Sequence, residues 1–172
     1  MTSRFTERNL DMQGFACETD ASIAGVAPWL RLTPSLSTAW IVTGTALASP
    51  AVLFCFSLTS AFGASRREHP FDRLYNRGLR RITKTAPLPA NPPPRRFAMG
   101  LAAAWAATAA ALFATGHKRT GRIAGGLLGL AGATVASTHF CLGSFVYRQL
   151  EKLPKPRRGL PRYPRVSVAG LE

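Results

Sequence analysis

Residues 32–65 form a run of 34 positions without a single Asp, Glu, Lys or Arg, and residues 97–117 and 123–147 are equally free of charge. Only 17% of the 172 residues are charged, against roughly a quarter in a soluble domain, and the shortfall lies in these three windows. A hydrocarbon solvent excludes charge over about 20 residues, the length that spans a core of ~30 Å. The pattern argues against an ordinary globular enzyme and against a disordered basic tail. It predicts an all-α, integral membrane helical protein with three spans, four short ones being the alternative.

The net charge of +14 follows the same partition. Residues 1–31 hold three basic and four acidic side chains, 66–96 nine and two, 117–122 three and none, and 148–172 seven and two. Lys and Arg collect on the cytoplasmic side of a membrane, so residues 66–96 and the C-terminus are expected there, with 117–122 opposite. The basic segments then serve topology and anionic lipid rather than nucleic acid. The expected location is the bacterial cytoplasmic (inner) membrane, multi-pass. Residues 1–31 form a polar arm without the apolar h-region of a signal peptide. Cys17, Cys55 and Cys141 show no metal-ligand spacing and no paired framework.

The first window is too long for one upright helix and too short for two full spans with a turn. Ser49 and Pro50 suit an N-cap and a first helical position. A single crossing kinked or broken at Pro50 is the expectation, a pair of spans the alternative. A single crossing would put the amino-terminal arm outside. Residues 97–150 read as a helical hairpin. Alanines at 102, 106, 110 and 114 make one smooth face of its first helix. Gly121, Gly125 and Gly129, followed by Gly132 and Ala136, make a stripe of small residues on the second, where helix backbones approach closely in lipid.

In the basic loop, Phe71, Leu74, Tyr75 and Leu79 follow the spacing of an amphipathic helix, with Arg73 and Arg77 elsewhere on it. Such a helix lies at the headgroup boundary. Pro87, Pro89, Pro92, Pro93 and Pro94 then impose an extended connector. Residues 151–172, with Pro154, Pro156, Pro161 and Pro164, form a basic, Pro-rich tail.

Three stretches carry a resemblance. They are the loop His69, Pro70, Phe71, Asp72, Arg73, Leu74, Tyr75, Asn76; the approach from Leu88 through Pro92, Pro93, Pro94, Arg95 and Arg96 to Ala98; and the exit Phe140, Cys141, Leu142, Gly143, Ser144 to Tyr147. Over about residues 30–150 the chain resembles a family of small bacterial membrane proteins known as domain of unknown function 4395. The resemblance implies a multi-span membrane protein, sometimes encoded beside or fused to thiol and sulfur-transfer proteins, without an established activity. Many members carry a second cysteine where this chain has Ser144, which weakens a redox role carried over from the family.

Chemistry is confined to few positions. Cys141 and Ser144 sit one helical turn apart, and a lone thiol there can exchange with a partner thiol but cannot close its own disulfide. A packed, inert cysteine is the simpler reading. His139 lies in a predicted span beside small neighbours, so it is a candidate axial ligand for haem or chlorophyll; a hydrogen bond to a neighbouring helix is the simpler reading. His69 and His117 read as polar loop residues. No carboxylate lies in a span, so no catalytic constellation or carboxylate relay is expected.

The function expected from the sequence is a non-catalytic accessory or structural subunit of a larger bacterial membrane complex, photosynthetic or respiratory, with no resident cofactor. Its partners would be other membrane-protein subunits and anionic lipids. The alternatives are a membrane partner of a thiol or sulfur-transfer protein through Cys141, and a pigment or haem protein through His139.

Overall fold

A computed structural model describes residues 4–15 and 25–153. The basic tail from residue 154 onward and Cys17 lie outside the described residues. Among those described, all regular structure is helical. Helix α1 is Arg4–Met12; a single 3-10 turn, Trp29–Arg31, leads into α2, Leu32–Ala46; α3 is Pro50–Ser65. The loop holds α4, Pro70–Leu74, a π turn, Tyr75–Leu79, and α5, Arg80–Thr83. Then come α6, Pro93–Ala114, α7, Lys118–Thr138, and α8, Leu142–Lys152.

The long charge-free window is a helical hairpin, which corrects the expectation of one kinked crossing. The indole Nε1 of Trp40 donates to the carbonyl of Val52 at 3.0 Å, whereas a continuous helix would hold residues 12 apart at roughly 18 Å. Ala48 takes the left-handed conformation (φ 48°), Ser49 caps α3 by accepting from the amide of Val52, and Pro50 opens the helix. Local capping chemistry therefore ends one helix and starts the next within three residues. The 34-residue window accommodates two helices because they are short. At 1.5 Å per residue α2 and α3 are about 22 and 24 Å long, against about 33 and 31 Å for α6 and α7.

Helices α2, α3, α6 and α7 form an antiparallel four-helix bundle. Ser57 and Ser60 on α3 donate to the carbonyls of Ala103 and Met99 on α6, at 2.8 and 3.0 Å. Buried Ala103, Ala106, Ala109 and Ala110 give α3 a flat surface on which Leu53 and Phe56 pack. On α7, a Cβ at Gly125 would strike Thr45; one at Gly129 would lie 3.3 Å from Val42, and one at Gly132 2.5 Å from Thr38. The stripe of small residues thus packs on α2 of the same chain, Gly125, Gly129 and Gly132 meeting α2 in reverse order. Gly121 differs, facing Phe113 of α6, and Ala136 is half-buried.

The bundle has two unlike ends. One carries the short turns after Ala46 and Ala114. The other carries residues 66–92, α8 and the described part of the amino-terminal arm. Asn9 donates to the carbonyl of Thr138 at 2.7 Å, and Arg148 reaches the carbonyls of Asp11 and Met12. The arm and the basic loop therefore share one end, with 117–122 at the other, so the arm is not separated from the loop as a single crossing requires. Leu10, Phe15, Val26, Ala27, Leu30, Tyr75 and Leu88 form a second core that fixes this end.

Helix α6 is long and apolar enough to cross a membrane; α7 and α8 meet the same criterion only as a pair, bent by 89° at their junction. Helix α3 is apolar but shorter. The loop helix differs from its expected amphipathic face. Tyr75 is buried and Phe71 half-buried, while Leu74, Leu79 and Ile82 face outward with Arg77. The π turn widens the helix at Tyr75–Leu79, so the regular spacing of apolar residues no longer predicts one face.

Candidate functional site

At the junction of the bundle with its cap, buried polar side chains converge around Asp72. Its two carboxylate oxygens accept from Thr33 Oγ1 at 2.6 Å and Asn91 Nδ2 at 3.0 Å, and Arg95 Nη2 lies 3.8 Å away. These residues come from the start of α2, the short α4, the Pro-rich connector and the first turn of α6. Arg95, counted with the charges of the basic loop, is only 6% exposed, with its guanidinium over the ring of Phe15 at 5.3 Å. A buried ion pair is retained against its desolvation cost when hydrogen bonds satisfy the remaining lone pairs, and Thr33 and Asn91 supply them.

His69 is buried beside this cluster and not at an exposed interface. It caps α4, its Nδ1 accepting from the amide of Phe71 at 3.3 Å, which places the ring proton on Nε2. Gly63 makes room for it, since a Cβ there would collide with the imidazole. Burial lowers the His69 pKa from 6.5 to about 4, opposed by the charge of Asp72 and reinforced by that of Arg95. The side chain is neutral near pH 7.

His139 ends α7 in the left-handed conformation (φ 59°) and so lies at a helix break, not inside a span. Its amide donates to Val135, its carbonyl accepts from Gln13 Nε2 at 2.6 Å, and its Nε2 accepts from Arg31 Nε at 2.9 Å. The hydrogen bond to a neighbouring element is present, and it occupies the ring nitrogen that an axial ligand would use. Cys141 is the buried N-cap of α8 and not a residue of a continuous helix. Ser144 lies in the first turn of the same helix, fully buried, its Oγ without a partner. Gly143 allows that turn to approach α6, since a Cβ would sit 2.7 Å from that of Ala98.

These groups border a chamber of about 160 Å³. Arg95, His69, His139, Gln13, Thr33 and Cys141 line its polar end; Ile41, Phe56, Trp105, Leu128 and Val135 line its apolar interior. A mostly apolar cavity with a few convergent polar groups is the usual form of a small-molecule site. The sequence singled out His139 and Cys141 and the structure brings both here. Phe71, Leu74, Arg73 and Arg77 remain in the loop, outside the chamber lining. Sequence reasoning missed Arg95, Asp72, His69 and Gln13 as buried groups; the first three lie in motif stretches that had marked the resemblance. Among the described residues, no group of three or more His, Cys, Asp or Glu side chains is arranged to hold a metal ion.

No curated protein matches the chain, and no solved structure does. One family description matches residues 27–152, from the turn before α2 through α8, and spans the bundle, its loop and the chamber lining apart from Gln13. The chain belongs to the family described as domain of unknown function (DUF4395).

Proposed function

We propose that this protein is a multi-pass component of the bacterial cytoplasmic membrane that acts as a non-catalytic accessory subunit of a larger membrane complex, with residues 66–92 and the C-terminus on the cytoplasmic side. One observation carries the membrane reading: the outer surface of the bundle is apolar, while hydroxyls are buried between its helices. Phe54, Leu58, Phe62, Leu127 and Leu130 point outward, while Ser57 and Ser60 are buried and bonded to the facing helix. Exposed Thr59, Thr108, Thr134 and Ser137 return their hydroxyls to carbonyls of their own helices. That arrangement suits a solvent that offers no hydrogen bonds. The glycine stripe is used within the chain, so partners would meet the outward leucines and the loop surface of Leu74, Leu79, Ile82 and Arg77, where anionic headgroups also fit. Alkaline carbonate extraction followed by gentle affinity purification tests the reading. The protein should stay in the pellet and then elute with defined partner chains; release into the supernatant, or elution alone, would reject it.

A second reading is favoured by the position of Cys141 at the N-cap of α8 on the chamber wall. A thiol there meets the chamber and the positive end of a helix, as a partner of a thiol or sulfur-transfer protein would require. If Cys141→Ala abolishes function while the complex still forms, this reading replaces the first.

A further inference from the structure

The polar end of the chamber holds an under-used donor. Among the described residues Arg95 is the one Lys or Arg in its lining, and the oxygens of Asp72 behind it are already engaged by Thr33 and Asn91. Arg95 lines the chamber and stands 3.8 Å from Asp72, beyond an ordinary hydrogen bond, so its fork of donors is under-used. Donors gather from a second direction too. Leu142 and Gly143 open α8 and line the chamber, and first-turn amides have no acceptor within their own helix. Ser144 on the same turn is buried without a partner. Close packing of Gly143 on Ala98 brings this helix start to the same turn of α6 that carries Arg95. Beyond this end the walls are mostly apolar.

We propose that the chamber binds a small organic carboxylate with an apolar body, its head held by Arg95 and the first-turn amides of α8 and its body lying among Ile41, Phe56, Trp105 and Leu128. Helix starts and arginine forks are complementary to anionic oxygens. The size also fits: an apolar cavity of roughly 150 Å³ takes a ring such as benzene, so a short aliphatic chain or one aromatic ring fills this one. A neutral molecule of the same shape offers Arg95 and the helix start no anionic oxygen.

The test uses the full chain in nanodiscs of zwitterionic lipid, titrated with hexanoate labelled with carbon-13 at the carboxyl. A bound resonance should saturate at one equivalent per chain, above the signal of empty nanodiscs, and hexanol should compete at least about tenfold less well, the loss expected for one charge-assisted hydrogen bond. Replacing the pair together, Arg95→Leu with Asp72→Leu, avoids an unpaired buried charge and should weaken binding by at least the same factor. Ala131→Leu leaves every polar group in place but fills the chamber and should abolish binding. Absence of a saturable signal, equal competition by hexanol, or retained binding in the Ala131→Leu variant would each overturn the proposal. Because the readout is ligand bound per chain, its failure is distinct from failure to co-purify partners.

Discussion

Arg31 Nε donates to His139 Nε2 at 2.9 Å across 108 residues of chain, tying the turn that leads into α2 to the residue that ends α7. The bond places a charge inside a helical run just before the charge-free window, where it binds the one histidine of the α7–α8 junction. The same junction receives Gln13 and Asn9 from the amino-terminal arm. The chamber end is therefore held by partners distant in sequence, and its behaviour under substitution follows from which of them is left unpaired.

Asp72→Leu should destabilise the protein by about 3–5 kcal/mol, because it leaves Arg95 buried without its counter-charge. Adding Arg95→Leu should recover more than half of the loss. A double-mutant cycle on unfolding midpoints measures the coupling, and additive effects would show that the two charges do not depend on one another.

Stability should fall with acidification over the window from pH 6.5 to about 4. Burial keeps the folded-state pKa of His69 below its ordinary value, so in that window the unfolded chain binds the additional proton. The contribution is absent above pH 6.5, grows as pH falls, and levels off below about 4 at a loss on the order of 3 kcal/mol. Unfolding followed from pH 8 to 4 reads this slope. The variant His69→Gln, which keeps an acceptor for the Phe71 amide, should remove its share of the slope and leave that of His139, whose pKa burial also lowers.

Within a cysteine-free background, single cysteines at Arg4, Arg80 and Glu151 should react with an impermeant reagent from one side of the membrane and a cysteine at Thr120 from the other. Accessibility of Arg4 together with Thr120 would contradict the hairpin formed by α2 and α3.

Gly125→Leu and Gly132→Leu should each destabilise the isolated protein by at least about 1–3 kcal/mol, because the new side chains meet Thr45 and Thr38 of the same chain. Leu127→Ala, at an outward position, should change stability by less than about 0.5 kcal/mol. A stripe reserved for another subunit would leave the isolated protein unaffected and show its effect only in partner recovery.

The sequence by itself determined the helical class, the placement of helices in charge-free windows, the break at Pro50 and the small-residue stripe. Each depends on local chemistry: exclusion of charge, a Ser-Pro start, glycine every fourth position. It also separated the ends, since residues 117–122 lie opposite the basic loop in the fold. Tertiary structure decided what local rules do not reach. Whether α2 and α3 run on or fold back depends on Trp40 finding Val52 and on Gly125, Gly129 and Gly132 receiving α2. Whether His69, Asp72 and Arg95 stay in a solvated loop depends on a cap built from Leu10, Phe15 and Tyr75, which removes water from them. Composition counts such residues as loop charges, because burial belongs to the surroundings that distant segments supply.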